Sequence, residues 1–280
     1  MEAQLEKILE VQKEAWNKSS QGWKKWDDMV MNFMKPASDE MIRMLKIKGN
    51  DRVLDLATGT GEPGLTIAGM LKEGKVTGID LSEEMLAVAR EKAAALGIRN
   101  FETVCGDVSE LPFDDNTFDV VCSRFGFMFF PDMNLALKEM LRVLKPGGRI
   151  AASVWNVPEK NFWINASMET MISMLQLKPP TPGAPGAFRC APNGFMADLL
   201  KQTGFMNIES KEVEGKLNCK TLETYWSFIS EVSSPLAYSK ADPELQNQIK
   251  EVILAKVKQK YPDGNIALDS NAIVVYGEKE

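Results

Sequence analysis

The stretch DRVLDLATGTGEPGLTIAGML, residues 51–71, constrains the fold more than any other part of the chain. An apolar run is followed by a turn of small residues and then by an amphipathic run, the order of a strand, a tight turn and a helix. Gly59, Gly61 and Gly64 spell G-x-G-x-x-G. Small residues in such a turn let backbone approach a ligand and aim N–H groups at it. The spacing alone is that of a dinucleotide loop. However, Asp55 sits four residues before the first glycine. A carboxylate there repels a pyrophosphate and attracts a cation.

The same alternation continues downstream. RVLDLA (52–57), KVTGID (75–80), FETVCGD (101–107), FDVVCSR (118–124) and RIAASVW (149–155) read as strands, and helices are expected over about 61–72, 82–96 and 132–144. Ser82 is a good N-cap, Glu83 and Glu84 suit the positive end of the helix dipole, and Gly97 stops that helix. This spacing predicts an α/β fold with a mostly parallel sheet and helices on both faces, and it puts a ligand at the carboxyl ends of the strands. Residues 2–34 read as helical, with Trp26, Met29, Val30, Phe33 and Met34 repeating every three or four positions. Pro36 is expected to end that run, with a short helix at 41–45 after it.

Beyond residue 157 come a Met-rich helix (FWINASMETMISMLQL), a Pro/Gly loop over 178–194, a helix in FMADLLKQTGF and a strand near 206–214. Helices follow near 221–232 and 243–260, then a last strand, NAIVVYG (271–277). The chain thus divides into an N-terminal helical lid (1–40), a ligand-binding core (41–157), and a remainder (158–280) that completes the sheet and carries cap helices over a substrate.

Several function classes are excluded by composition. There is no histidine, and the four cysteines form no C-x-x-C pair, so the common zinc patterns and any Ser-His-Asp or Cys-His arrangement are absent. No metal is expected. Cys105 and Cys122 are expected as buried core thiols. A net charge of −6 argues against nucleic acid as the partner. The first ten residues are charged throughout, and the longest apolar run, VVCSRFGFMFF, is short and contains Arg124. The expectation is a cytoplasmic protein with no stable membrane insertion. A homodimer stays open.

Three acids close successive strands: Asp55, Asp80 and Asp107. Asp55 suits an ammonium group and Asp80 a pair of ribose hydroxyls. Asp107 suits the exocyclic amine of adenine, with the Val108 backbone N–H donating to the ring. One ligand carries all three groups and no phosphate: S-adenosylmethionine.

The blocks VLDLATGTGE, VTGIDLSEEML, GDVSELPF, FDVV and LKEMLRVLKPGGRI, in order over about residues 45–155, resemble the class I S-adenosylmethionine-dependent methyltransferases. They resemble most the ubiquinone/menaquinone C-methyltransferase family, with Ala57 in a slot that many relatives fill with Gly. The resemblance implies a Rossmann-like, mostly parallel seven-stranded sheet with helices on both faces and a helical cap. It implies that Asp55 and the loop with Ala57, Thr58, Gly59 and Gly61 hold the methionine moiety, that Asp80 and Leu81 hold the ribose, and that Met85, Gly106, Asp107 and Val108 hold the adenine. Ser123 and Arg124 should line the methyl-transfer cavity.

The aromatic run RFGFMFF (124–130) reads either as a substrate wall or as packing under the sheet. Trp16, Trp23 and Trp26 read either as a lid or as packing. Trp23, Trp26, Arg124, Phe125 and Trp155 are the candidate substrate-pocket residues. The Met- and Trp-rich cap suits a small apolar or aromatic acceptor, methylated by in-line displacement. No residue is singled out as a catalytic base; without histidine it would be Asp, Glu, Tyr or a water. Two other readings compete: a NAD-dependent oxidoreductase resting on the same glycines, and a non-catalytic partner protein that binds the cofactor.

Overall fold

The strand-like runs pair as the alternation requires. The computed structural model of the protein describes residues 2–178, 181, 183–233, 238–239 and 241–280, with only the backbone for 2–5. Seven strands form one sheet: β1 (Arg52–Leu56), β2 (Lys75–Asp80), β3 (Phe101–Cys105), β4 (Phe118–Arg124), β5 (Leu144–Trp155), β6 (Met206–Lys220) and β7 (Ile266–Glu278), in the order β3-β2-β1-β4-β5-β7-β6. The first five are parallel, while β7 runs antiparallel between β5 and β6. β1 and β2 are buried from their second residue onward, because helices cover both faces of a parallel sheet. The chain steps outward from β1 to β3, then returns to place β4 on the other side of β1. That reversal opens a crevice at the carboxyl ends of β1 and β4.

Three crossover helices follow β1, β2 and β4: α3 (Gly64–Met70), α4 (Glu83–Ala95) and α5 (Met133–Val143). Ser82 caps α4, accepting from the Met85 N–H at 3.1 Å, and Asp132 caps α5, accepting from the Leu135 N–H at 3.0 Å.

Ahead of the sheet lie α1 (Glu2–Lys25) and α2 (Asp27–Leu45). The expected break at Pro36 does not occur, since α2 runs straight through it. An interior proline costs about 3 kcal/mol through its missing N–H and its clash with the preceding turn. Against this, α2 buries Val30, Phe33, Met34, Ala37, Met41, Met44 and Leu45, and each large side chain contributes about 1.5–3 kcal/mol on burial. Packing decides, and the chain breaks instead at Trp26, between the two helices. The boundary expected at residue 40 therefore falls inside α2, which lies on β5, β6 and β7. α1 reaches a different place, packing on α4 and on α8 (Leu222–Val232).

The remaining helices are α6 (Phe162–Met174), α7 (Phe195–Thr203) and α9 (Pro243–Lys260). Of the Pro/Gly loop, Pro179, Pro180 and Pro182 lie outside the described residues. β5 begins at Leu144, within the LKPGG segment, rather than at Arg149, and β6 and β7 extend well beyond the runs that alternation marked. A second correction concerns Cys105. It is exposed, because β3 is an edge strand whose last residue has left the cover of the helices.

No helix among the described residues is long and apolar enough to cross a membrane, and none of them form an Asp, Glu or Cys cluster able to hold a metal.

Candidate active site

The crevice at the strand ends is a cavity of about 450 Å³. Four loops build its floor: 57–60 after β1, Asp80 and Leu81 after β2, Gly106 to Val108 after β3, and Arg124 to Gly126 after β4. Trp155 ends β5 on the same wall. α1 closes one side with Gln12, Trp16 and Trp23, and α6 closes another with Met168, Met171 and Ile172.

The first loop turns sharply. Ala57, Gly59 and Gly61 all have positive φ, at 53°, 54° and 101°. A Cβ at Gly59 would meet nothing within 4 Å, so the backbone is bare on that side. At Gly61 a Cβ would lie 2.7 Å from a Leu65 methyl; that glycine serves the packing of the loop against α3 and does not line the cavity.

Asp55 is fully buried and does not line the cavity either. Its Oδ2 accepts from Thr58 Oγ1 at 2.6 Å and from the Gly64 N–H at 3.0 Å, while its Oδ1 accepts from Cys122 Sγ at 3.5 Å. Burial pushes its carboxyl up to about 6, against the opposing pull of these bonds and of Arg124. It braces the loop from behind. The same burial, together with the neighbouring Asp55, drives the Cys122 thiol well above its ordinary range.

The carboxylate that does line the cavity beside this loop is Glu62, only 7% exposed, with Oε2 accepting from Thr66 Oγ1 at 2.7 Å. Sequence reasoning passed over it. The available signal was its place as the first acid after the glycine turn.

Asp80 lines the cavity, with Oδ2 accepting from the Gly59 N–H and Oδ1 from the Ser82 N–H, both at 2.9 Å. Burial raises its carboxyl above the ordinary range, the backbone bonds opposing the rise. Asp107 folds its Oδ1 back onto the Ser109 N–H at 2.9 Å. Ala57, Thr58, Gly59, Leu81, Met85, Gly106 and Val108 all line the cavity. Ser123 does not. It is fully buried, and its hydroxyl has no partner.

The aromatic run divides between its two readings. Phe125, Phe129 and Phe130 line the cavity, whereas Phe127 and Met128 are fully buried in the core. The single 3₁₀ turn over Phe127–Phe129 carries the chain round, so that Phe127 and Met128 face the core while Phe129 and Phe130 return to the cavity. Phe125 stacks on Trp155 with ring centres 3.9 Å apart, and Trp163 meets Trp155 edge-on at 5.1 Å.

The tryptophans divide too. Trp16 stands edge-on to Trp23 at 6.4 Å and to Phe129 at 5.2 Å. Trp26 turns away from the cavity, against Phe228 at 5.9 Å, and donates its Nε1 to Glu231 at 3.0 Å. Arg124 lines the cavity, and its Nη1 donates to Ser38 Oγ at 3.3 Å.

The architecture is that of the Rossmann-like methyltransferase fold. A protein of known structure from Bacillus halodurans superposes with a TM-score of 0.60 at 23% identity, over 86% of this chain and 98% of its own. Phosphoethanolamine N-methyltransferase 2 of Haemonchus contortus, solved in complex with S-adenosyl-L-methionine, superposes with a TM-score of 0.57 at 22% identity, over 91% of this chain and 56% of its own. In sequence, residues 53–148 match the family model of a methyltransferase domain. The resemblance to class I methyltransferases therefore holds for the half-sheet that forms the cavity floor. More particularly, a demethylmenaquinone methyltransferase of Bacillus mycoides is 44% identical over 112 residues, 40% of this chain. The chain spans about half the length of this and the other curated relatives it matches, 47% in this case.

Proposed function

We propose that the protein binds S-adenosylmethionine in this cavity and transfers its methyl group to a small apolar or aromatic acceptor. The observation that carries this reading is the distribution of charge along one continuous cavity. Glu62, Asp80 and Asp107 stand at the ends of three successive strand–turn units, and Arg124 is the lone cation among the described lining residues. A pyrophosphate would face carboxylates there with no cation at the glycine turn, which counts against a dinucleotide. The residues suit an adenosyl group with an amino-acid tail: bare backbone at Gly59, a carboxylate at Asp80, and the apolar Met85 and Val108 beside Asp107.

When bound, the cofactor would supply an already activated methyl group on sulfur. The chain's own residues then have three tasks. Thr58, Gly59 and Glu62 would hold the amino-acid end, with Asp55 bracing the turn from behind. Asp80 would hold the ribose. Phe125, Trp155, Met168 and Met171 would position the acceptor and exclude water, so that in-line displacement gains from orientation rather than from a dedicated base. α1, with Trp16 and Trp23, would act as a lid over both ligands.

Calorimetric titration with S-adenosylhomocysteine and with NAD tests the cofactor. The expected outcome is binding of the first alone; tight NAD binding with no heat from S-adenosylhomocysteine overturns the reading. Asp80→Ala should weaken S-adenosylhomocysteine binding by roughly ten- to a hundredfold, since bonds to a charged acceptor contribute about 1.5–3 kcal/mol. Unchanged affinity in a folded variant would mean that the ribose lies elsewhere. Release of S-adenosylhomocysteine from S-adenosylmethionine across a panel of apolar acceptors tests the transfer itself.

A further inference from the structure

Arg124 carries a full positive charge on the wall of the cavity, and the protein provides no anion for it at close range. Its Nη1 donates to the Ser38 hydroxyl, which in turn donates to the Met34 carbonyl. Glu62, Asp55 and Asp27 favour its charge only through space, and burial works against it.

Arg149 shows what a satisfied buried arginine looks like in the same molecule. Its guanidinium donates to the Leu45 and Lys46 carbonyls at 2.6 and 2.7 Å and pairs with Asp51 at 2.7 Å. Arg124 is only half-buried, but it faces the cavity with no carboxylate in hydrogen-bond reach, so an anion entering there would complete the pair. A second donor in the cavity is in the same position: Trp23 lines it, and the buried Trp23 Nε1 has no partner. A cation whose one acceptor is a neutral hydroxyl and an indole N–H with none suit a ligand that brings acceptor oxygens.

The chemistry can be narrowed further. Apart from Glu62, the cavity that Arg124 faces is lined largely by apolar side chains, Phe125, Trp155 and Met171 among them, so the rest of the ligand is apolar too. One arginine near Glu62 balances one negative charge, which disfavours a phosphate dianion. The planar guanidinium fork matches the two oxygens of a carboxylate better than the single oxygen of an ionised hydroxyl. We propose that Arg124 is the anion-binding residue of the acceptor lobe, and that the acceptor is an apolar acid seated with its carboxylate on this guanidinium. This rests on the methyl-transfer reading for the word acceptor, but the binding site itself does not depend on the cofactor.

The test uses the wild-type chain with 2-naphthoate, 2-naphthamide and 2-naphthol as probes, followed by quenching of tryptophan fluorescence with and without S-adenosylhomocysteine. Naphthoate should bind at least tenfold tighter than the amide and tighter than the naphthol. Arg124→Met should abolish that preference, and Arg124→Lys should retain part of it. Removing an uncompensated charge should also leave the Tm of the ligand-free Arg124→Met protein unchanged or raised. Equal affinity for acid and amide, preference for the naphthol, or a Tm lowered by several degrees in both variants would overturn the proposal. If S-adenosylhomocysteine itself fails to bind the wild-type chain, the methyl-transfer reading fails separately, because the acid-over-amide comparison is read in its absence as well.

Discussion

Asp55 was expected to face the ligand, and it lies instead behind the turn, fully buried and off the cavity wall. Its position at the end of the first strand was legible, and an acid there was assigned to the ligand. Its surroundings were not legible, because the Thr58 hydroxyl, the Gly64 N–H and the Cys122 thiol converge on it only after the turn has closed. Glu62 was missed for the same reason. Its place as the first acid after the glycine turn marked it, but only the closed turn shows that it faces the cavity rather than solvent.

The buried state of Asp55 has a measurable consequence. Its folded-state pKa is raised from the ordinary 3.8 to about 6. Between those values the native protein binds the proton more tightly than the unfolded chain, so this group's contribution to stability is full below pH 4 and lost as pH rises through 6. The difference is about 3 kcal/mol. Asp55→Asn keeps an acceptor for Thr58 and Gly64 but cannot ionise. Urea unfolding of both proteins from pH 4 to pH 8 should therefore show the variant gaining on the wild type by roughly that amount as pH rises. A constant difference across the range would place the Asp55 pKa near its ordinary value.

At the scale of elements, the strand–turn–helix units were legible from their period, and in α4 and α5 from capping residues as well. Ser82 and Gly97 bound α4 as their types require. The N-terminal helices were misdivided because proline's local cost was weighed without the burial that outweighs it. With α2 part of the core, only α1 is left for the proposed lid.

Two hydrogen bonds fasten α1 over the cavity: Gln12 Nε2 donates to the Phe129 carbonyl at 2.7 Å, and Ser82 Oγ donates to Asn17 Oδ1 at 2.6 Å. Exposed ion pairs from Lys24 to Glu91 and from Lys25 to Glu231 add little. The edge-on contacts of Trp16 and the packing on α4 and α8 hold α1 as well, and we propose that it opens to admit ligands as those contacts part. Removal of residues 1–25 should leave a folded protein whose methyl transfer falls at least a hundredfold. Removal of 1–35 would also strip Val30, Phe33 and Met34 from the core and should unfold it. Trypsin should cleave after Lys24 and Lys25 more slowly when S-adenosylhomocysteine is present. Near-normal turnover by the shorter truncation, with cleavage indifferent to ligand, would reduce α1 to ordinary packing.

At the scale of the whole molecule, the part that sequence comparison finds and the part that folds are not the same. The matched residues, 53–148, supply β1 to β4 and only the beginning of β5. β5 is buried along nearly its whole length because β7, more than a hundred residues further on, pairs with it from Arg149↔Glu278 to Trp155↔Ala272. The chain before the match is equally involved, since Arg149 is anchored on the last carbonyls of α2 and on Asp51.

These long-range pairings are what a reading by local period could not supply. The antiparallel β6 and β7 were marked too short, although Val213, Gly215, Leu217 and Cys219 in the outer half of β6 alternate with the polar Glu214, Lys216, Asn218 and Lys220; what local period did not supply is the partner, since that half pairs with the outer half of β7. A fragment of residues 47–157 should accordingly expose the edge of β5 and lose the cover that α2 gives the sheet. We expect it to show no cooperative thermal transition and to bind 8-anilinonaphthalene-1-sulfonate, whereas the 26–280 chain melts cooperatively. A sharp transition in the short fragment, with the far-ultraviolet circular dichroism of a packed α/β protein, would show that the cavity floor stands on its own and that the rest is appended to it.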